Sequence, residues 1–397
     1  MSDCANYLSD QPKTGCLFCV IMKLPDIIMI HHSGKFVKRE ESILMETLRL
    51  GLIGCGGMMR THASAVNLVE GIEIVAVCDI IRERAESVAE VLNAPYITTD
   101  FETMVDRVDA VLVALPHDLH YECGVFFARH GKHVMMEKPL CNTEEECLEL
   151  IRVCEENRVT LMCAYPVRFW PGIVKLKELI DSGEYGEIIQ MSVWTEQLTG
   201  ADWDDNPRKN WGQTARLGGG QLFSHGCHYV DIMLWFLGEP VSGMHFGTKN
   251  GTPWMLREGT SAAIIKFKNG AIGYHGATWG ARGTRLGYDF QIQTEKGMLE
   301  YDHGAGVVRL YNSNIRHEPG TLEKTGCKIL WERNKGEGTS KLTNYEIAHF
   351  VDCVRTGKTP ITNGRAALQG LRVIWALYEA ERRGITADLR GLGLDNL

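Results

Sequence analysis

Apolar runs of strand length alternate with segments of helical period between Leu48 and about Tyr165. The pattern predicts strands over residues 48–53, 72–78, 109–114, 133–136 and 159–163. The helices between them carry ordinary start signals, such as Asp100 before an apolar turn and the capping box that begins at Thr143. Because alternation of strand and helix is typical of a parallel, doubly wound α/β sheet, we expect one domain over residues 45–165, with its ligands beyond the carboxyl ends of the strands.

The pattern changes after Tyr165. A helix predicted over residues 171–181 is followed by runs that alternate or end in turn signals, which predict strands over residues 188–196, 262–267, 271–278, 286–294 and 298–301. Strands joined by short turns indicate a mostly antiparallel open sheet. We therefore expect a second α/β domain over residues 166–397, with two C-terminal helices, within residues 344–383, packing back onto it.

Residues 1–44 do not continue into either pattern. They contain Cys16-Leu-Phe-Cys19 and the pair His31-His32, which raises the question of a zinc site. Adjacent histidines lack the gap of about three to five residues found in zinc fingers. We favour the alternative, an N-terminal extension without a fold of its own, with Met45 beginning the domain proper.

The first predicted strand runs into a glycine-rich turn, Gly54-Cys-Gly-Gly-Met-Met59. Gly54 permits a sharp turn, and Gly56 allows backbone N–H groups to approach a pyrophosphate at the positive end of the next helix. The third position of this fingerprint, where glycine or alanine is usual, holds Met59. The second strand ends in Asp79, which either accepts both ribose hydroxyls of NAD and repels the extra phosphate of NADP, or caps the following helix.

Two other strand ends reach the same edge of the predicted sheet. The strand over residues 109–114 leads to His120, which either lines the nicotinamide half of a dinucleotide or packs at the start of a helix. The strand over residues 133–136 delivers Glu137 and Lys138. Because burying an unpaired charge costs on the order of several kcal/mol, a lysine at this edge suggests a hydrogen bond to a substrate hydroxyl, although lone lysines are usually solvated surface residues.

A third candidate segment begins with the flexible run Gly218-Gly-Gly220. Ser224 is a reasonable N-cap, and His225, His228 and Asp231 fall at i, i+3 and i+6, along one helix face. These three side chains could bind a metal, but no fourth ligand is apparent, and we predict none. Polar side chains on an otherwise apolar helix look more like a substrate-facing edge.

Composition narrows the classes of function. Hydrophobic residues make up 44% of the chain and charged residues 23%, as in globular proteins, and the formal net charge of −8 without a long basic block argues against nucleic acid and membrane surfaces as partners. The chain contains no run of about 18 apolar residues, so no membrane span is predicted. The 13 cysteines are scattered, many within apolar runs, which is typical of core residues in a reducing cytoplasm.

Together these residues resemble the Gfo/Idh/MocA family of NAD(P)-dependent sugar and polyol oxidoreductases from about Leu48 to Leu389. The motifs that carry the resemblance are Gly54-x-Gly56-Gly57-Met58, the strand-ending Asp79, Pro116-x3-His120, Glu137-Lys138-Pro139, Arg168-Phe-Trp-Pro171, Gly183-x2-Gly186, and Gly218-Gly-Gly leading to His228-x2-Asp231. The resemblance implies a Rossmann domain that binds NAD through the motif residues from Gly54 to Lys138. It also implies an α/β domain whose open sheet covers the active site and often forms an oligomer interface.

The same resemblance implies that Lys138 and His228 sit at the reacting carbon. We favour His228 as the acid/base and Lys138 as the polarising donor, and the converse assignment stays open. Two departures from the family pattern matter: Met59 replaces a glycine, and Ser224 stands where an aspartate is usual, four residues before the histidine. The second departure places a carboxylate-assisted proton relay in doubt.

Further substrate-lining candidates are Arg168, Trp203, Trp211, His225 and Tyr288. The two tryptophans either stack on sugar rings or anchor a long loop. We expect an NAD-dependent oxidoreductase acting on a secondary hydroxyl of a sugar, polyol or glycoside, with a homo-oligomeric assembly. The alternatives are a redox-neutral glycoside-cleaving enzyme that oxidises, eliminates and re-reduces with bound NAD, and a non-enzymatic dinucleotide-binding regulator.

Overall fold

The computed structural model of the chain describes residues 47–198, 218–284, 286–312, 327–334 and 341–392. The predictions for residues 1–44 lie outside these ranges. The helices of the described ranges are α1 (Gly57–Val66), α2 (Arg82–Leu92), α3 (His120–Arg129), α4 (Glu144–Glu156), α5 (Pro171–Asp181), α6 (Cys227–Leu237), α7 (Thr343–Thr356) and α8 (Gly364–Arg383). Of these helices, none combines the length and the apolar composition needed to cross a membrane.

Six parallel strands form the first sheet. They are β1 (Leu48–Ile53), β2 (Ile72–Cys78), β3 (Tyr96–Thr98), β4 (Ala110–Val113), β5 (His133–Glu137) and β6 (Leu161–Ala164). Their order is β3-β2-β1-β4-β5-β6, with every pair parallel. The order reverses between β1 and β4, so the crevice beyond their carboxyl ends is where such sheets bind ligands. The prediction of a doubly wound parallel sheet is confirmed.

Nine strands form the second sheet. They are β7 (Ile188–Glu196), β8 (Pro240–Thr248), β9 (Thr260–Phe267), β10 (Ile272–Thr278), β11 (Tyr288–Thr294), β12 (Gly297–Asp302), β13 (Val307–Tyr311), β14 (Cys327–Glu332) and β15 (Ala387–Asp388). Their order is β14-β13-β12-β11-β7-β10-β9-β8-β15, and β7–β10 is its one parallel pair among the described residues. Buried and accessible residues alternate along β9, and α5, α6 and α8 pack against the sheet. The predicted mostly antiparallel sheet is confirmed.

Five strands were not predicted from the sequence: β3, β8, β13, β14 and β15. β3 and β15 are too short to show a period, and β14 and β15 lie at the edges of their sheet. β8 begins with Pro240 and contains Gly243 and Gly247, residue types that are depleted in strands. Neighbouring strands and packing helices therefore determine these elements more than local propensity does.

Candidate active site

The glycine turn after β1 forms one wall of the site. Gly54 has a φ of +85°, and a Cβ there would lie 2.5 Å from the Ala114 carbonyl oxygen, so the turn requires glycine. Gly56 is the N-cap of α1 and Gly57 its first residue, and a Cβ on either would meet nothing within 4 Å. The first amides of α1 thus border open space at the positive end of the helix dipole, which fits the pyrophosphate of NAD.

The two methionines after these glycines have different roles. Met59 is fully buried and belongs to the same apolar core as Leu50 and Leu112. It fills the space between α1 and the sheet, where the usual glycine would allow close backbone packing. Met58 is only half-buried, and its Sδ lies 2.8 Å from the Lys341 Nζ. The departure at Met59 therefore changes the packing behind the glycine turn and leaves the turn itself open.

Two backbone amides hold the Asp79 carboxylate at the end of β2. Oδ2 accepts from the Cys55 N–H at 2.7 Å, and Oδ1 accepts from the Ile81 N–H at 2.8 Å. The first bond ties Asp79 to the glycine turn, and the second ties it to the residue before α2. Each carboxylate oxygen has another lone pair, so a contact with the ribose hydroxyls of NAD stays a prediction.

Pro116 and His120 lie in the segment that leads from β4 into α3. Pro116 precedes a short 3-10 turn, and His120 is the first residue of α3. His120 is fully buried, with its ring nitrogens 2.8 Å from the Pro139 oxygen and 3.0 Å from the Leu115 oxygen. Burial lowers the pKa of His120, so a neutral ring donates its one N–H to one of these carbonyls. These contacts fit the packing alternative, in which His120 ties together the segments after β4 and β5, and a contact with the nicotinamide half of NAD stays a prediction.

Lys138 is held through both its backbone and its side chain. Glu137, the last residue of β5, accepts the Lys138 N–H at 3.1 Å, and its Oε1 lies 2.7 Å from His62 Nε2. Burial opposes ionisation of Glu137, but the hydrogen bond and charge of His62 and the charges of Lys138 and Lys341 lower its pKa to about 2. The Lys138 ammonium donates to the Ser224 carbonyl oxygen at 2.7 Å. This bond joins the parallel sheet to the segment before α6.

Ser224 is not an N-cap, so that prediction is wrong. It lies inside a π-helical turn, Leu222–Gly226, that continues into α6. Turns of this kind are rare and recur at functional sites. The Ser224 Oγ is buried without a hydrogen-bond partner among the described residues. At the position where the family usually has an aspartate, the chain therefore presents a backbone carbonyl oxygen to Lys138.

A tyrosine on α8 fixes the start of this turn. The Tyr378 hydroxyl accepts from the N–H groups of Gly220 at 3.2 Å and Phe223 at 3.1 Å, and it donates to Glu258 Oε1 at 2.5 Å. These bonds satisfy amides at the beginning of a helical segment, where intrahelical acceptors are lacking. The orientation of Ser224 and of the residues after it thus depends on α8.

His225 and His228 extend the site along this segment. Their ring centroids are 5.8 Å apart, and the His228 ring lies 5.4 Å from the ring of Tyr165, the residue after β6. Burial, followed by the positive charge of Lys138, lowers the pKa of both histidines well below the ordinary value. Both rings are therefore neutral at neutral pH, and His228 is able to accept a proton.

Asp231 has a different partner from the two histidines. Arg168 donates to both of its oxygens, with Nε 2.6 Å from Oδ2 and Nη2 2.7 Å from Oδ1. Arg168 Nη1 also donates to the Ile361 carbonyl oxygen at 3.0 Å, and both charged side chains are buried. The predicted substrate contact of Arg168 stays a prediction. Within the described ranges, no three His, Cys, Asp or Glu side chains form a group that could hold a metal ion.

The remaining predicted lining residues divide between the described ranges and the rest of the chain. The Tyr288 ring centroid lies 6.1 Å from that of His225, and the Tyr288 hydroxyl is hydrogen-bonded by the Gln197 side-chain amide. Trp203 and Trp211 lie outside the described residues. Tyr288 is thus adjacent to the histidines, and the predictions for the two tryptophans stay open.

Two residues of the site, His62 and Lys341, were not predicted from the sequence. His62 had a detectable signal, because it lies on the buried face of α1 with Met59, Ala63 and Val66, at helical spacing. Lys341 had none, since a lysine in a polar stretch before a helix looks like a surface residue. Only the folded chain brings it beside Met58.

Two sequence profiles of one protein family match this chain. The profile of the Gfo/Idh/MocA oxidoreductase family, described as an NAD-binding Rossmann fold, matches residues 48–165. The profile of the GFO/IDH/MocA C-terminal domain matches residues 173–300. The two matches fall on the two sheets described above.

Individual proteins give the same result. The chain is 30% identical over 314 residues to a 2,7-anhydro-N-acetylneuraminate hydratase of Escherichia coli, covering 74% of this chain and 78% of the relative. It is 27% identical over 353 residues to a scyllo-inositol 2-dehydrogenase (NAD(+)) of Bacillus subtilis, covering 86% and 96%. The solved structure of a levoglucosan dehydrogenase in complex with NADH superposes with a TM-score of 0.76 at 21% identity, covering 86% and 99%, and shows the same fold.

Proposed function

The chain belongs to the Gfo/Idh/MocA family of NAD-dependent oxidoreductases, and from this premise we propose that it transfers a hydride from a secondary hydroxyl of a sugar, polyol or glycoside to NAD. The similarity to scyllo-inositol 2-dehydrogenase (NAD(+)) supports this substrate class. One observation carries the proposal: the Lys138 ammonium, at the carboxyl edge of the parallel sheet, donates to the turn that leads to His228. This bond supports the assignment of Lys138 and His228 to one hydroxyl of the substrate.

The chemistry follows from the charge states of these residues. The carbon of a secondary alcohol releases a hydride readily only when the hydroxyl proton is also removed. Neutral His228 accepts that proton, and the Lys138 ammonium donates a hydrogen bond to the same oxygen and stabilises its developing negative charge. Bound NAD would supply the acceptor for the hydride, and loss of the hydride and the proton would convert the alcohol to a carbonyl. The converse assignment, with Lys138 as the base, predicts a different pH profile.

The residues around the glycine turn fit the cofactor. We assign NAD binding to Gly54, Gly56, Gly57, Met58, Asp79, Pro116, His120, Glu137 and Lys138. The open space around Gly56 and Gly57 and the fixed carboxylate of Asp79 support this assignment. For the substrate we assign Arg168, Trp203, Trp211, His225 and Tyr288. His225 is supported by its position beside His228, and Tyr288 by its position beside His225. We also propose that residues 45–165 form the first domain and residues 166–397 the second.

Two finer inferences concern the setting of the enzyme. We infer a cytoplasmic location, because the ten cysteines among the described residues are all free and nine of them are buried. We infer a homo-oligomer, because the second sheet exposes apolar residues such as Ile189, Phe246 and Ile264. Gel filtration with light scattering would test the second inference directly, with a monomer as the contradicting result.

The proposed function is tested by following nicotinamide absorbance while the full chain is incubated with NAD and a panel of sugars, polyols and aryl glycosides. Steady accumulation of NADH with one class of compound supports a dehydrogenase. Tight NAD binding without hydride transfer to or from any member of the panel would contradict the enzyme and favour a dinucleotide-binding regulator.

A redox-neutral enzyme is the second candidate, favoured by the similarity to a 2,7-anhydro-N-acetylneuraminate hydratase. Oxidation of a ring hydroxyl acidifies the neighbouring C–H bond, whose loss expels the leaving group, and return of the hydride restores NAD. The same panel distinguishes the two candidates: consumption of a glycoside or anhydro sugar without accumulating NADH identifies the redox-neutral cycle.

A further inference from the structure

Two residues from outside the helical segment before α6 pair all the backbone amides at its start. The first bond within the segment runs from the Ser224 N–H to the Gly220 carbonyl oxygen, at 2.9 Å. The four amides before it, those of residues 220–223, lack an acceptor within the segment, as at the start of any helix. Tyr378, on α8, and Glu258, two residues before β9, supply these acceptors.

The four amides are divided between the two residues in a fixed order. The Tyr378 hydroxyl accepts from the first amide at 3.2 Å and from the fourth at 3.1 Å. Glu258 accepts from the second through its carbonyl oxygen at 2.8 Å, and from the third through its Oε1 at 3.3 Å. The hydroxyl donates to the same Oε1 at 2.5 Å. Loss of either side chain would therefore leave both amides and a side-chain partner unpaired.

The two residues are themselves held tightly in place. A Cβ on Gly220 would overlap the Glu258 carboxyl group, so the segment and the carboxyl approach as closely as glycine allows. The Tyr378 ring lies 5.2 Å from the ring of His245, on β8. One turn further along α8, Glu381 Oε2 lies 2.7 Å from His245 Nδ1. Contacts with β8 thus fix the part of α8 that carries Tyr378.

The segment held in this way carries the partner of Lys138. The residue after the four amides is Ser224, whose carbonyl oxygen accepts from the Lys138 ammonium at 2.7 Å. A lysine ammonium has three N–H donors, so this bond directs one of them and leaves two for a substrate. His228 lies four residues further along the same helical segment. Both residues assigned to the reacting hydroxyl therefore take their positions from a segment that Tyr378 and Glu258 fix at its start.

We propose that Tyr378 and Glu258 are positioning residues of the reaction, which fix the Ser224 carbonyl oxygen and through it the Lys138 ammonium. This proposal rests on the proposed function, because it concerns the same site. Both residues act through the backbone of the segment before α6. Their loss should therefore lower kcat, while KM and the affinity for NAD change little.

The first test is Tyr378→Phe, which removes the hydroxyl and keeps the ring. We expect kcat for the substrate identified with the panel to fall at least about tenfold, since a displacement of roughly 1 Å at the reacting groups can cost about 10²-fold. Tyr311→Phe is the matched control. The Tyr311 hydroxyl also donates to a glutamate, Glu300, at 3.3 Å, but it lies on β13, next to the edge strand β14. Its kcat should match that of the wild type.

Glu258 provides a conservative variant and a disruptive one. Glu258→Gln keeps a side-chain oxygen that can accept from Leu222 and Tyr378, whereas Glu258→Leu has no acceptor. The glutamine variant should retain a kcat close to that of the wild type, and the leucine variant should lose activity as Tyr378→Phe does. Equal losses in the two variants would overturn the assignment of Glu258.

Chemical labelling keeps this proposal separate from the proposed function. The rate at which acetic anhydride modifies Lys138, measured by mass spectrometry relative to exposed Lys132, reports on the position of the Lys138 ammonium whether or not a hydride is transferred. Tyr378→Phe should raise this ratio, because the ammonium is released from the Ser224 carbonyl oxygen. A raised ratio in a protein that transfers no hydride supports the positioning role and contradicts the dehydrogenase.

Three results would overturn the positioning role of Tyr378. One is a Tyr378→Phe variant with the kcat of the wild type. Another is a loss of kcat with an unchanged labelling ratio, which would show that the hydroxyl acts without moving Lys138. The third is a loss that appears in KM or in NAD affinity instead of kcat, which would assign Tyr378 to ligand binding.

Discussion

One polar stripe lies on α6 and just before it, and its two parts have different surroundings. The stripe consists of His225, His228 and Asp231, spaced at i, i+3 and i+6. The two histidines form the open part of the stripe. They lie beside Lys138, and the His228 Nδ1 has no hydrogen-bond partner among the described residues. Asp231 forms a closed, two-bond ion pair with buried Arg168. Spacing places the three side chains in line, but residues from other elements decide which of them are available for chemistry.

Nearby charges decide which of these residues can take part in a reaction and which stabilise the fold. Both oxygens of the Asp231 carboxylate accept hydrogen bonds from Arg168, so this carboxylate has little capacity left to respond to a ligand. The histidines are neutral because burial and a nearby ammonium disfavour their protonated forms. The open part can exchange a proton during a reaction, whereas the closed part holds α6 against the segment after β6. Removing the partner should therefore affect activity in the first case and stability in the second.

The largest effect is expected from Lys138→Ala, which removes the partner of the open part. Turnover should fall by about 10²–10⁴-fold, since the variant loses the donor that polarises the reacting hydroxyl. NAD affinity should fall far less than turnover, because the glycine turn and the other residues assigned to the cofactor are untouched. The unfolding midpoint should change little, because the Arg168–Asp231 pair is intact. Single-turnover hydride transfer and NAD titration measure the two quantities.

Lys132→Ala is the control for this experiment. Lys132 precedes β5, at the end opposite to Lys138, so the same change of charge occurs away from the site. Its turnover is expected to match that of the wild type. Near-normal turnover of Lys138→Ala would refute the role of Lys138 in the open part of the stripe.

Arg168→Met tests the closed part. It leaves the buried Asp231 carboxylate without its cation, which should lower the free energy of unfolding by about 3–5 kcal/mol in urea denaturation. Combining it with Asp231→Leu should recover most of that loss, because no buried charge remains. Arg365→Met is the matched control: Arg365 also donates two bonds to one carboxylate, Glu155, but this pair is exposed and should contribute less than about 1 kcal/mol. Equal losses for the two arginine variants would contradict the distinction between the parts.

The sequence predicted most of the elements and the types of residue at the site, but not their pairing. The strands β1 and β2 and the helix α5 have the predicted ends, since long apolar runs and a clear helical period determine them locally. The bonds from Lys138 to Ser224 and from Arg168 to Asp231 join residues 86 and 63 positions apart. No local pattern predicts such contacts, and the π-helical turn around Ser224 has no propensity signal either. Lys341 was missed for the same reason.

The smallest expected effect is on the pH dependence of kcat/KM, whose acidic limb identifies the base in the open part of the stripe. Because burial and the Lys138 charge lower the pKa of His228, the neutral base persists as the pH falls through 6.5 and is lost only under more acidic conditions.

The wild-type kcat/KM should therefore be level across neutral pH and decline only at acidic pH, approaching tenfold per pH unit below the pKa. His228→Asn should remove this limb together with about 10²-fold of the rate, whereas His225→Asn should keep it. A limb on the alkaline side of neutrality, unchanged in His228→Asn, would instead assign the base to a lysine. In that case the open part of the stripe would position the substrate, and the proton would leave through Lys138.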